Sequence, residues 1–172
     1  MVTTFAGTGA EGSIDGANPT FDYPFGVTTP NSNGDIFVSD YNSNKIRQIN
    51  STGFTTTLAG NGTSSSINGA KDKATFNGPL GIVFDSGSVF VTEEFSFLVR
   101  RVTGAGLVST FVTLESQGGW LGVDNASNIY AGDYDYHRGT CKSSFVKQNF
   151  KVTPEYLSAQ SFSFWRNYFA CW

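Results

Sequence analysis

The chain has 172 residues and is sparse in charge, with 11 Lys and Arg against 14 Asp and Glu for a net charge of −3. A weakly acidic balance creates no field that attracts phosphate backbones, which argues against nucleic acid as a partner. No apolar run reaches the roughly 20 residues of a membrane-spanning helix, and the polar Thr3-Thr4 start lacks the basic region and apolar core of a signal peptide, so membrane insertion is not expected.

In chain order, Val2–Ala6 reads as the outer strand of a unit and Gly7–Tyr23 as a long Gly-rich loop. Four segments rich in Val, Ile, Phe and Thr follow at about Phe25–Thr29, Asp35–Ser39, Lys45–Ile49 and Phe54–Leu58. Their connectors, Pro30–Gly34, Asp40–Asn44 and Asn50–Gly53, are short clusters of turn residues, as antiparallel hairpins require. The order then starts again. Val2-Thr3-Thr4-Phe5-Ala6-Gly7-Thr8-Gly9 returns fifty-three positions on as Thr55-Thr56-Thr57-Leu58-Ala59-Gly60-Asn61-Gly62. Ile14-Asp15-Gly16 recurs as Ile67-Asn68-Gly69, Pro24-Phe25-Gly26-Val27 as Pro79-Leu80-Gly81-Ile82, and Ile36–Asp40 as Val89–Glu93. Ile46-Arg47-Gln48-Ile49 matches Val99-Arg100-Arg101-Val102, and a shorter third copy sets Asn128–Asp133 opposite Asp35–Asp40. Such a period, built of strands without helical stretches, predicts an all-β fold of four-stranded meanders repeated radially. Strand alternation predicts one environment for Phe37, Phe90 and Tyr130 and another for Val38, Val91 and Ala131.

The run Tyr23-Pro24-Phe25-Gly26-Val27, then Gly34–Asp40, then Asn44–Ile49, then Phe54–Gly60 resembles the NHL repeat, in the variant whose blades are joined by a Gly-rich loop containing Asp-Gly. Two repeats match over about 2–112 and a third over about 116–138. The resemblance implies an NHL-type β-propeller, here an incomplete arc of about three four-stranded blades in residues 1–138, with repeats at about 2–53, 54–106 and 107–138. The copies also depart from the pattern: Pro30 stands where Asp85 and Asp124 end the first strand, Glu93 replaces Asp40, and Phe95-Ser96-Phe97-Leu98 replaces an Asn-rich turn. The third copy breaks off after Arg138. Residues 139–172 are a non-repeat, aromatic-rich tail, in which Phe162, Trp165, Phe169 and Trp172 have the spacing of a helix that would cover an open blade edge; the other reading is a stretch foreign to the fold. Since the resemblance implies rings of about six blades, the arc is expected to be a fragment, a truncated product, or a half-ring that self-associates through its open edges.

Gly7-Thr8-Gly9-Ala10-Glu11-Gly12 spells G-x-G-x-x-G, yet the second copy lacks the third glycine and no helix follows, so the segment reads as a loop and no cofactor is expected. Asp133, Asp135 and His137 alternate and offer donors that suit a divalent ion. A single His and a turn position argue against a metal there, and none is expected. His137 is the chain's one histidine and lies where the repeat fails, so no catalytic residue is assigned. Asn50, Asn61 and Asn125 open glycosylation sequons built from ordinary turn residues, and Cys141 and Cys171 set no disulfide framework.

In a four-stranded meander, the connection Asp40–Asn44 and the long loops Gly7–Tyr23 and Gly60–Gly78 share one end. Loops on rigid scaffolds commonly carry recognition, so this end is the expected binding face. Asp15, Asp40, Tyr41, Asn42, Asn68, Glu93 and Asp133 are its candidate contacts. Phe21 and Phe76, which close the long loops, are expected to plug between blades. The functional expectation is a non-enzymatic interaction or scaffold module with a protein partner. The alternative is a portion of a propeller hydrolase or lyase with a central metal site, because propeller folds related to the one the resemblance implies include metal-dependent lactonases and lyases.

Overall fold

Hairpins in this chain are closed by side chains that satisfy their own turns. Asn31 Oδ1 accepts the N–H groups of Asn33 and Asp35, Asn50 Oδ1 accepts those of Thr52 and Phe54, and Asp124 Oδ1 accepts those of Ala126 and Asn128. Such Asx turns hold the backbone in the reversal between two strands. Asn31, one position beyond the expected Asp, does in the first copy what Asp124 does in the third. A computed structural model describes residues 1–29, 31–115, 117–135 and 140–146, of which 133–135 and 140–146 are described by backbone pairing. Among them no helix is long and apolar enough to cross a membrane.

The first sheet holds β1 (Pro24–Val27), β2 (Ile36–Asp40), β3 (Lys45–Ile49) and β4 (Thr55–Ala59) in sequential order. The second repeats that meander with β5 (Pro79–Asp85), β6 (Ser88–Glu93), β7 (Leu98–Thr103) and β8 (Val108–Thr113). A third sheet holds β9 (Gly118–Val123), β10 (Ile129–Asp135) and β11 (Thr140–Val146) in the order β11-β10-β9. All pairs are antiparallel. The expected strands of the first unit therefore stand within one or two residues of the observed ones.

Two expectations are corrected. Val2–Ala6 forms no strand; its counterpart Thr55–Ala59 is held by hydrogen bonds to β3, and no such neighbour lies beside Val2–Ala6 among the described residues. The third meander also continues past 138, where the repeat had been expected to end. Thr140–Val146 pairs with β10 from Asp135↔Thr140 to Ile129↔Val146, so backbone pairing extends the sheet although the sequence pattern is lost. The remainder of the aromatic tail, with Cys171 and His137, lies outside the described residues.

Cores form between successive sheets, with strand alternation deciding which residue faces which neighbour. Val89 and Val91 of β6 join Phe37, Ile46, Leu58, Phe76 and Ile82 in one core. Phe90, between them, turns the other way and joins Val99, Leu114, Ile129 and Ala131 in a second. Burying each such side chain contributes about 1.5–3 kcal/mol. Val38, Val91 and Ala131 are all buried, as expected. Phe37 and Phe90 also behave alike: Phe37 stacks on Phe84 at 5.3 Å and Phe90 meets Phe111 edge-on at 4.9 Å. Tyr130 departs from them and is only half-buried, its hydroxyl donating to Asp124 Oδ2 at 2.7 Å.

The Asp124 carboxylate is thereby held at a pKa of about 2, below its ordinary 3.8, chiefly by the Asn128 side-chain amide, then by the Asn128 N–H and the Tyr130 hydroxyl. A depressed carboxylate stabilises the folded state above the ordinary value, and that contribution disappears as pH falls through the folded one. NMR titration of the Asp124 carboxyl carbon is expected to give a midpoint near 2, moving toward 3.8 in Asn128→Ala.

First strands of successive sheets meet at the hub, and a hydroxyl staples each pair. Ser39 Oγ accepts the Gly26 N–H at 2.8 Å and donates to Leu80 O of the next sheet at 2.5 Å. One repeat on, Thr92 Oγ1 accepts the Gly81 N–H at 3.0 Å and donates to Gly119 O at 2.6 Å. A Cβ on Gly26 would lie 2.6 Å from Leu80 O, and one on Gly81 2.8 Å from Leu121 N, so only glycine admits this approach. In the third sheet the register places Trp120 at the glycine position and Gly132 at the hydroxyl position, so both parts of the staple are replaced.

Candidate functional site

The two long loops, 7–23 and 60–78, are fastened by buried arginines that the sequence presented only as scattered charge. Arg47 Nη1 donates to Asp40 Oδ2 at 2.7 Å and to Thr20 O at 3.1 Å, while Nη2 donates to Asp15 Oδ1 at 2.7 Å and to Ile14 O at 2.9 Å. Its guanidinium carbon lies 5.1 Å from the Phe21 ring centroid. Arg100 repeats the arrangement with Glu93 Oε1 at 2.7 Å, Asn68 Oδ1 at 2.6 Å and Thr75 O at 3.2 Å, over Phe76 at 5.5 Å. Arg47, Arg100, Asp40 and Glu93 are fully buried, where a charge persists only if paired and hydrogen-bonded.

Asp-Gly and Asn-Gly complete the fastening. Gly16 exchanges backbone hydrogen bonds with Thr55, and Gly69 with Val108. Asp15 Oδ2 accepts the Thr57 N–H at 2.9 Å, satisfying a group on the outer strand β4. Partial burial alone would raise the Asp15 pKa, but the Thr57 N–H and the Arg47 guanidinium outweigh it and hold the carboxyl below its ordinary value. Burial pushes the Asp40 carboxyl up, against the Asp22 N–H and Arg47.

Four of the seven expected binding contacts, Asp15, Asp40, Asn68 and Glu93, are thus latch residues of the scaffold. Asp40 and Glu93 are wholly inaccessible, and Asp15 and Asn68 spend their side chains on Arg47 and Arg100. Asp133 is described by its backbone alone, and Asp135 likewise. Tyr41 and Asn42 do lie at the expected end, with Asn42 exposed and its amide on Asp22 Oδ1 at 2.9 Å. The closing aromatic Phe76 is fully buried in the first core, as expected, and Phe21 is half-buried. The segment Gly7–Gly12 is loop, with Thr8 N–H on Pro19 O and Gly12 N–H on Phe21 O.

What the loop face does expose is aromatic. Tyr23 packs on Tyr41 at 5.8 Å between ring centroids, Tyr41 on Phe95 at 6.4 Å and on Phe25 at 6.5 Å, and Phe25 on Trp120 at 4.9 Å. This band crosses all three sheets at the hub end. Tyr23, Phe95 and Trp120 remain 64, 59 and 54 % exposed. Beside it, Gly12, Ser13, Asp22, Asn42, Lys45, Asn61 and Thr63 line a shallow polar groove of about 410 Å³. Sequence reasoning missed the band because its members are scattered from 23 to 120. Its one signal was the replacement of the Asn-rich turn by Phe95-Ser96-Phe97.

No protein-family profile matches the chain, and no curated protein matches it. Among solved structures it is similar to a chain of the nidogen/laminin complex, with 13% identity, a TM-score of 0.56 and coverage of 71% of this chain and 44% of that one. It is similar to luciferin-regenerating enzyme at 13% identity and a TM-score of 0.51, covering 67% of this chain and 39% of the enzyme. A putative phosphatase from Bacteroides thetaiotaomicron shows 16% identity and a TM-score of 0.56 over 78% of this chain and 36% of that protein. The chain thus spans less than half the length of each. At these identities the likeness speaks to fold and not to activity, and together with the repeated antiparallel meanders it makes the chain an all-β arc of β-propeller blades.

Proposed function

We propose that this chain is a non-enzymatic interaction module of the NHL type, which presents one loop face of a propeller arc to a protein partner. The observation that carries the reading is the exposed aromatic band, held on a loop face whose ionisable groups are largely committed to fastening the scaffold. Aromatic side chains supply large contact area at low entropic cost, and interfaces are enriched in them. A nidogen/laminin chain among the structural neighbours comes from a protein complex, which is the kind of role proposed. Elemental analysis with an esterase and lactonase screen of the purified chain tests the reading. We expect neither a stoichiometric divalent ion nor turnover; finding both would replace it with the hydrolase or lyase alternative.

Self-association is part of the proposal. Val27 is 66 % exposed on the flank of the first sheet, whereas its counterpart Ile82 is buried against Phe37 in the first core. Exposed apolar flanks of that kind drive association. Sedimentation of the 172-residue chain across a concentration series is expected to show oligomers that Val27→Asp weakens. A compact monomer at all concentrations would remove this part.

A further inference from the structure

We infer that the aromatic band is a docking surface for a cationic peptide segment, one that lays arginine or lysine side chains on the exposed rings; this rests on the interaction-module reading. Sheet packing does not account for the rings. In the first repeat the positions of Phe95 and Phe97 are held by Asn42 and Asn44, and the position of Trp120 by Gly26. Asn44 adopts a left-handed φ of 51°, which suits asparagine; Phe97 takes the same place at 58°, where a bulky residue is strained. Two polar turn residues are thus replaced by exposed rings, Phe97 against its backbone preference, and an exposed Trp120 takes the place that the buried Gly26 holds at the first sheet junction.

Charge around the band selects the partner. Glu94 borders it, its carboxylate accepting from the Tyr41 hydroxyl and from Gln117 Nε2 at 3.0 Å. Asp22 borders the other end beside Tyr23. Among the described residues neither carboxylate has an ion-pair partner. Arg47 and Arg100, the arginines of this end, are fully buried on Asp40, Asp15 and Glu93. Lys45 lies in the adjoining groove with its amine on Ser13 Oγ at 2.8 Å. Two carboxylates, Glu94 and Asp22, therefore flank the rings, with Lys45 as the cation beside Asp22 and none beside Glu94 among the ion pairs of the described residues.

Aromatic ring faces carry negative potential, so a guanidinium or ammonium placed over one is attracted, strengthening binding roughly two- to fivefold per exposed contact. A carboxylate offers about four lone-pair sites. Glu94 spends two of them on Tyr41 and Gln117, which leaves acceptors for a guanidinium fork while fixing the carboxylate's orientation.

The test titrates the full chain with capped decapeptides of alternating Gly-Arg, Gly-Ser and Gly-Glu, following the Trp120 indole N–H by NMR, assigned with Trp120→Phe. We expect saturable shifts with Gly-Arg alone, weakened about five- to tenfold by Glu94→Gln and about two- to fivefold by Phe95→Ala. Glu94→Gln keeps an acceptor for Tyr41, so a merely structural Glu94 would leave binding unchanged. Equal binding of Gly-Arg and Gly-Ser, or an unaffected Glu94→Gln, would overturn the cationic partner while leaving the interaction-module reading in place. Absence of any shift with all three peptides would count against both.

Discussion

Replacing Arg100 with Met is expected to destabilise the chain by about 3–5 kcal/mol, because the fully buried Glu93 carboxylate loses its cation. The side chain also closes the loop 60–78 through Asn68 and Thr75, so its removal unpins a segment as well as a charge. Denaturant unfolding measures the cost, and a melting temperature lowered by roughly 10 °C is its thermal counterpart. Arg100→Met with Glu93→Gln should recover much of the loss, since Gln keeps an acceptor for the Asn77 N–H and can turn its amide N–H groups to the Ser66 and Ser96 hydroxyls, without a bare charge. If the double variant is no more stable than the single one, the loss comes from packing and not from the uncompensated carboxylate. Arg47→Met should behave likewise through Asp40, although Asp15 and Thr57 would still hold the outer strand.

A second large effect is expected at the hub. In Gly81→Ala the new Cβ would stand 2.8 Å from Leu121 N and 2.9 Å from Trp120 Cα. These are backbone atoms of the neighbouring strand β9, which cannot rotate away, so the sheets must part and the Thr92 staple must stretch. We expect a cost of about 1–3 kcal/mol or more, with hydrogen-exchange protection falling in β9 and β10 while β2 and β3 keep theirs. Gly122→Ala is the comparison within the same strand: a Cβ there meets nothing within 4 Å, and the change should stay within about 0.5 kcal/mol. Similar losses in both variants would show that the third sheet, and not the junction, is sensitive.

The local elements were legible because their determinants are local. Alternation of Val, Ile and Phe against Gly, Asn and Asp places each hairpin within a few residues, and a fifty-three-residue recurrence reveals that the same meander is built twice. Even the burial of Phe37 and Phe90 followed, since strand alternation is a property of the backbone. The site was not legible in the same way. Asp15 and Arg47 are as remote in the chain as Asn68 and Arg100, and nothing in either neighbourhood marks an acidic loop residue as the partner of a buried guanidinium. Asp40 and Glu93 therefore read as turn carboxylates available to a ligand, when low-dielectric burial had already committed them. Only the register sets Trp120 where Gly26 and Gly81 stand. Strand β11 lacks the repeat's side-chain pattern, yet backbone groups paired with β10 extend the sheet regardless of sequence. Periodicity determined that this chain makes propeller blades; which charges are spent inside them, and which rings remain at the surface, was decided only by packing one blade against the next.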